Sequence, residues 1–357
     1  MSTTPPTVSF SAPTTPPTGE PLRLALIGAG TFARDAYLPS LTPHRDQIQV
    51  AAVYSRTLAR AAALAEQIDY PVDCTGDLDA LLARPDIEAV AVLLPIAAMP
   101  QTVVAALAAG KHVLSEKPIA PDLATGRSLL AHYTRTQQTH HPALVWMVGE
   151  NWRYEEAFLR AADLVHRGVI GDPLTCTWAI YTPITEQNKY YHSAWRRDSS
   201  FPGGFALDTG VHHMAVLRLI FGERAQGSAL APHGRPDLPP LDTPAATPPL
   251  RHGTLGTYIA SYAAGAPWPP QLHIVGTRGS LRVQRKAIEL TLDGSTEQIA
   301  CSGFDGVEKE LLAFARAIRR GEAHYNPPQQ ALQDLAVMEA ILAAAAQGQP
   351  IAPARVI

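Results

Sequence analysis

Residues 22–34 read LRLALIGAGTFAR, a short apolar run that stops at a glycine pair and gives way to a helical pattern. This strand–turn–helix order constrains the chain more than any other segment. A strand apolar at nearly every position must be buried on both faces, so it belongs in a parallel sheet covered by helices. Gly28, Gly30 and Ala33 fall in the pattern G-x-G-x-x-[GA]. In this setting the first glycine permits a tight turn and the second lets the backbone approach a pyrophosphate. The third small residue lets helix and strand pack closely. The helix N-terminus, with Thr31 and Phe32 in its first turn, then offers N–H donors to phosphate oxygens.

The same rhythm continues downstream. Apolar runs at 48–55, 88–95, 111–118 and 143–154 alternate with helical patterns at 58–68, 99–110 and 121–137. Strands alternating with helices predict an α/β domain, a doubly wound parallel sheet of the Rossmann type, over residues 22–148. Beyond it the pattern changes to α+β over 149–357. A helix at 155–167, a strand near 174 and a helix at 208–221 precede strand-like runs with few helices between them. IVGTRGSLRV reads as a hairpin with glycine at its turn. Two helical patterns close the chain. The prediction is a large open mixed or antiparallel sheet. Residues 230–253, LAPHGRPDLPPLDTPAATPPLRHG, are too long and proline-rich for an ordinary connection, so an exposed or mobile insertion is expected there. Residues 1–21 are rich in Thr, Pro and Ser and are expected to form a disordered tail.

Composition removes several function classes. With 357 residues and 46% hydrophobic content the chain can bury a sizeable core, and its net charge of −3 includes no basic run that would suit nucleic acid. Its three cysteines form no C-x-x-C pair, which points away from a disulfide framework or zinc knuckle and toward a reducing compartment. No uninterrupted apolar run approaches the ~20 residues a membrane span needs, and the N-terminus lacks a secretory pattern. The expectation is a cytoplasmic protein that binds neither nucleic acid nor membrane.

Cofactor choice is read where the second strand ends. VAAVYSRT places Ser55 and Arg56 there, with no Asp or Glu to bind a ribose 2′-hydroxyl. A hydroxyl and a guanidinium suit a 2′-phosphate, so NADP(H) is expected over NAD.

Two further stretches carry chemistry. AGKHVLSEKPIA sets Glu116, Lys117 and Pro118 at a strand end, on the edge of the sheet where ligands bind. GGFALDTGVHHM brings Asp208, His212 and His213 together in sequence, as a metal site, a proton-transfer site or the polar start of a buried helix. On a helix Asp208 and His212 are i and i+4 and share a face. His213 is turned about 100° from His212, which makes a common small ion awkward for the two imidazoles. No second ligand group such as H-E-x-x-H supports a metal hydrolase, and no metal is expected.

Taken in order, the Gly28-Ala29-Gly30 turn, AGKHVLSEKP and GGFALDTGVHH resemble the Gfo/Idh/MocA oxidoreductases, from about residue 22 to the C-terminus. The resemblance implies hydride transfer between nicotinamide C4 and a hydroxyl or carbonyl carbon of a sugar-like, polyol or other cyclic substrate. His212 would be the general acid/base and Lys117 would hold the substrate oxygen. Asp208 would contact substrate or orient His212. Pro95, Glu116, Lys117, Asn151 and Arg153 would lie beside the cofactor, and Tyr190, Trp195 and Arg196 in the substrate pocket. The second domain's sheet would mediate self-association as a dimer or tetramer. Ile96 and Met99 stand where the family often has Asn and His, which implies a more apolar nicotinamide side. Two other readings are an NAD(P)-dependent glycoside hydrolase with transient oxidation and a non-catalytic NADP-binding sensor or scaffold. The presence of both Lys117 and His212 weighs against the second.

Overall fold

A computed structural model describes residues 19–139, 144–196, 201, 203–222, 228–231, 234–247, 250 and 253–356. Most of the expected tail, residues 1–18, lies outside them. The first sheet holds β1 (Leu22–Ile27), β2 (Ile48–Tyr54), β3 (Asp73–Thr75), β4 (Ala89–Val92), β5 (His112–Glu116) and β6 (Trp146–Gly149). All six run parallel in the order β3-β2-β1-β4-β5-β6. The helices between them are α1 (Leu38–Leu41), α2 (Leu58–Ala65), α3 (Leu78–Leu82), α4 (Met99–Ala108) and α5 (Leu123–Thr139). The strand order reverses between β1 and β4. The crevice beyond their C-terminal ends is where such sheets take ligands.

The near-continuous apolar character of β1 has the expected origin. Leu22, Leu24 and Leu26 turn to one face with Ile48 and Val50, while Ala25 and Ile27 turn to the other with Val90 and Val92. Each fully buried leucine contributes about 2 kcal/mol of transfer free energy. The run at 143–154 does not stay extended. It leaves the sheet at Gly149, and Asn151–Tyr154 forms a 3-10 turn whose Trp152 N–H donates to Glu150 Oε1 at 3.3 Å.

The second domain carries α6 (Glu156–His166), β7 (Pro173–Tyr181), α7 (Gly204–Phe221), β8 (Ser228–Leu230), β9 (Ala245–Thr247), β10 (Leu255–Ser261), β11 (Trp268–Gly276), β12 (Gly279–Gln284), β13 (Ala287–Leu292) and β14 (Ser295–Ala300). The eight strands form a mixed sheet, β14-β13-β12-β11-β7-β10-β9-β8, in which only β7 and β10 pair in parallel. One face buries Trp178, Ile180, Tyr258, Leu272 and Ile274; the other exposes Thr175, Thr177, Thr257, His273 and Val275. Two helices follow, α8 (Gly306–Arg320) and α9 (Pro328–Gln347). Helix α8 crosses back: Val307, Leu311 and Phe314 join the cluster of Leu22, Leu24 and Leu26 and so cover a face of the first sheet.

The described part of 230–253 departs from the exposed or mobile insertion expected. Leu238 and Asp242 are each 1% exposed, and β9 is paired in the sheet between β10 and β8. A buried carboxylate organises the segment. Asp242 accepts the N–H groups of Gly234 and Arg235 at 2.7 Å each and the Thr243 hydroxyl at 2.7 Å. Among the described residues no helix is long and apolar enough to cross a membrane.

Candidate active site

The glycine turn sits at the strand-order switch. Gly28 has φ +120°, its N–H donates to Tyr54 O at 2.9 Å, and a Cβ there would lie 2.4 Å from the Leu93 carbonyl oxygen. A side chain is excluded by both conformation and space. A Cβ on Gly30 would meet nothing within 4 Å, so the backbone there is open to close approach. Thr31 and Phe32 start the following helix, which contains a π-helical turn at Ala33–Tyr37, a feature frequent at functional sites. Phe32 packs edge-on to Tyr37, whose hydroxyl donates to Glu116 Oε1 at 2.9 Å. The turn is thereby tied to the end of β5. Burial pushes the Glu116 carboxyl up to about 7, against the pull of Lys117 and Tyr37. Ser55 follows β2 with its Oγ accepting Thr57 N–H at 3.3 Å. Arg56 is exposed and has no ion pair among the described residues. Pro95 is exposed just beyond β4. Ile96 and Met99, expected to line an apolar pocket, are instead core residues, 3% and 2% exposed.

Across the cleft, Lys117 reaches from the end of β5 into the second domain. Its Nζ donates to the Asp208 backbone oxygen at 2.8 Å and to Asp208 Oδ1 at 3.0 Å. Asp208 Oδ2 accepts Arg196 Nε at 2.8 Å. Burial alone would raise the pKa of Asp208; the Lys117 and Arg196 charges overcome it and hold the carboxyl well below the usual range. The Arg196 guanidinium lies 4.1 Å from the Trp195 ring centre and 4.9 Å from that of Tyr190. Tyr190, Trp195 and Arg196 therefore meet beside Asp208.

One turn further along α7, His212 Nδ1 stands 2.5 Å from Glu150 Oε1, and its ring stacks on Trp152 at 5.2 Å. Burial lowers the His212 pKa from its ordinary 6.5, with Glu150 opposing and Lys117 adding to the shift. The carboxylate at hydrogen-bond distance from His212 is thus that of Glu150. Asp208, expected to orient His212 or contact substrate, has its carboxylate engaged by Lys117 and Arg196. His213 is buried, with Nδ1 2.8 Å from the Tyr258 hydroxyl and its ring edge-on to Trp152 and Trp178. The three polar side chains read together in sequence have three separate sets of hydrogen-bond partners. Among the described residues no group of three or more His, Cys, Asp or Glu could hold a metal ion.

One residue of the 3-10 turn sits differently from expectation. Arg153, expected beside the cofactor, is 3% exposed and bonds Asp334 of α9 at 2.5 Å. Asp334 also takes Arg218 at 2.6 Å, so Arg153 belongs to a core ion-pair cluster. Asn151 turns its backbone carbonyl onto α8, where a Cβ on Gly306 would come within 2.2 Å. Glu150 was missed because its neighbours in sequence say nothing of His212. The available signal was a carboxylate closing a fully buried strand.

The second glycine pair is explained by close approach. Gly203 and Gly204 have φ +121° and +48°, and a Cβ on Gly204 would lie 2.4 Å from Pro239 O and 3.0 Å from Arg196 O. The segment around 234–242 presses on the start of α7 and braces 184–196. Tyr191 donates to Asp237 at 3.0 Å, and Arg235 donates to Ile184 O at 2.7 Å. From the same segment Lys189 reaches Asp35, in the π turn after Gly30, at 2.8 Å.

Comparison with known proteins agrees with this architecture. The model for the NAD-binding Rossmann fold of the Gfo/Idh/MocA oxidoreductase family matches residues 22–143, and that for its C-terminal alpha/beta domain matches 162–352. The chain is 34% identical over 343 residues to Dehydrogenase FPY6 of Fusarium mangiferae, covering 90% of this chain and 96% of that protein. It is 27% identical to the dTDP-3,4-didehydro-2,6-dideoxy-alpha-D-glucose 3-reductase of Streptomyces violaceoruber, over 84% of this chain and 86% of that one. The crystal structure of an oxidoreductase from Thermotoga maritima superposes with a TM-score of 0.86 at 31% identity, covering 95% of this chain and all of that one.

Proposed function

The chain belongs to the Gfo/Idh/MocA family of oxidoreductases, and from that premise we propose that it is an NADP(H)-dependent dehydrogenase or reductase of a sugar-like or cyclic polyol substrate. The observation that carries this reading is the meeting of Lys117 and His212 from different domains, at the C-terminal edge of the first sheet, around a charged Asp208.

A dinucleotide fits the open backbone at Gly30 and the helix start at Thr31 and Phe32. When bound, its nicotinamide supplies the hydride chemistry. Lys117 has three N–H donors and gives two bonds to Asp208, which leaves one for a substrate oxygen on which negative charge develops. His212, with its lowered pKa, is neutral near pH 7 and takes the hydroxyl proton in oxidation; in reduction it returns it. The Tyr190 and Trp195 rings offer faces for the C–H surface of a sugar-like ring, and Arg196 is held beside them by Asp208. The named activity of the Streptomyces reductase, on a nucleotide-linked sugar, favours this substrate class. Ser55 and the unpaired, exposed Arg56 favour NADP(H). Self-association uses the exposed face of the second sheet, as a dimer or tetramer.

The test is a panel of cyclic polyols, sugars and their ketones, followed by NADPH absorbance in both directions. Turnover is expected, with kcat/KM for NADP(H) about tenfold or more above NAD(H), the value of one charge-assisted contact. A preference for NAD(H) would contradict the cofactor assignment. Glycosidic cleavage with no net change in NADPH would contradict the reaction.

A further inference from the structure

Glu150 occupies a place where a carboxylate is costly to keep. It is 1% exposed and closes β6 in the middle of the molecule. Its Oε1 is held from two sides, by Trp152 N–H at 3.3 Å and by His212 Nδ1 at 2.5 Å. Burial would raise its pKa, but His212, Arg153 and Lys117 together bring it below the usual carboxylate value. A second buried glutamate, Glu310 of α8, is also 1% exposed. The two are joined through Asn326, whose amide nitrogen donates to the Glu150 backbone oxygen at 3.0 Å and to Glu310 Oε2 at 3.4 Å. Glu310 Oε1 has no hydrogen-bond partner among the described residues. Burial, with Glu116 and Glu150 facing it, pushes Glu310 well above the usual range. Glu150 is shifted the opposite way, and its carboxylate points at the imidazole.

We propose that Glu150 is the positioning residue of this site: it accepts the Nδ1–H of His212, so that Nε2 alone exchanges protons with substrate, and it stabilises the imidazolium that results. This rests on the reading of His212 as the acid/base. In the oxidising direction the substrate O–H bond breaks and a new N–H bond forms at Nε2. The Nδ1–H stays in place and the ring's positive charge lies against the carboxylate. Carboxylate–imidazole pairing of this kind fixes tautomer and orientation in other acid/base sites. The stack on Trp152 fixes the ring plane from the side.

The other charges facing the pair are defined. Lys117 reaches His212 from β5, and Asp208 and His213 share its helix. Glu150 is faced by Arg153 on its own turn, Glu310 on α8 and Asp334 on α9. Arg285 covers the Trp152 ring at 4.8 Å. Replacing Glu150 by the isosteric Gln removes one charge from this set and leaves the rest.

The experiment compares the full-length wild type with Glu150→Gln, Glu150→Asp and Glu310→Gln. The His212 ring is titrated by NMR, and the pH profile of kcat/KM is recorded for the oxidation. In Glu150→Gln the His212 inflection moves to lower pH by about one unit or more, and plateau kcat falls about 10²-fold with KM little changed. Glu150→Asp, which keeps the charge, restores part of both. Glu310→Gln moves neither, because Glu310 is joined to the Glu150 backbone through Asn326 rather than to the imidazole. A wild-type inflection in Glu150→Gln, or the same displacement in Glu310→Gln, overturns the proposal. If Glu150→Gln does not fold, Glu150→Asp carries the comparison, and full wild-type values there overturn it as well. The NMR titration needs no substrate, so it decides the role of Glu150 even if every polyol in the panel fails.

Discussion

The two ends of the cleft are built by different rules. The end proposed for the cofactor is made of contiguous sequence: Gly28 to Phe32 in one turn, Ser55 and Arg56 in another, with geometry set mostly by backbone. The substrate end gathers Lys117, Glu150, Tyr190, Trp195, Arg196, Asp208 and His212 from both domains, and ion pairs hold most of them. The first end is therefore sensitive to any added side chain and the second to any lost charge.

The strongest way to break this contrast is at His212. His212→Ala is expected to lower turnover by about 10³-fold while NADPH affinity stays within a few-fold, because the residue touches only the substrate end. Near wild-type kcat, or a matching loss of cofactor binding, would merge the two ends into one. Next in size are the two glycines. Gly28→Ala forces a side chain onto the Leu93 carbonyl at φ +120° and is expected to cost about 2 kcal/mol of stability together with cofactor affinity. Gly30→Ala, with open space around it, should leave the melting temperature unchanged and weaken only the dinucleotide. Equal melting temperatures for the two variants would show that backbone strain is not what defines this end.

An acid titration tests both regions at once. Burial holds His112, on β5, and His324, beyond α8, each down at about 4, below the ordinary 6.5. A histidine whose folded pKa is depressed stabilises the fold fully above its unfolded value, and that contribution is lost as pH falls. In an NMR titration of the folded protein both rings are therefore expected to stay neutral from pH 6.5 down to about 4, while the raised Glu116 and Glu310 carboxyls offset their effect on the melting temperature. Titration of either ring near 6.5 would mean it is not buried as described. Smaller effects sharpen the contrast. Arg56→Ala should reduce NADPH affinity about tenfold and leave NADH affinity unchanged. Lys189→Ala removes an exposed ion pair to Asp35 and should change stability by less than about 0.5 kcal/mol.

The same division explains what could be read before folding. The β1–turn–helix unit, Lys117 at a strand end and the i, i+4 relation of Asp208 and His212 are local patterns, and local patterns are legible in a linear chain. The partner of His212 is not local. Glu150 lies 62 positions away in sequence, and only the packing of the 3-10 turn after β6 against α7 brings the two together. Arg153 illustrates the opposite problem. Its neighbourhood looks like a polar segment near a cofactor, yet the 3-10 turn aims it into the core against Asp334. Three-residue β3 and five-residue α3 carry no periodicity long enough to detect. The proline-rich 230–253 stretch looked exposed or mobile because the Asp242 network that seats it is made by backbone N–H groups, which composition does not reveal.

The most direct test of the account is single-turnover hydride transfer in wild type and Lys117→Met, each loaded with NADPH and mixed with the carbonyl form of the best substrate in the panel. Lys117 belongs to the first domain but is bonded to Asp208 of the second, at the end proposed for the substrate. The account predicts equal NADPH loading and a transfer rate about 10³-fold slower in the variant. Transfer at the wild-type rate would contradict it.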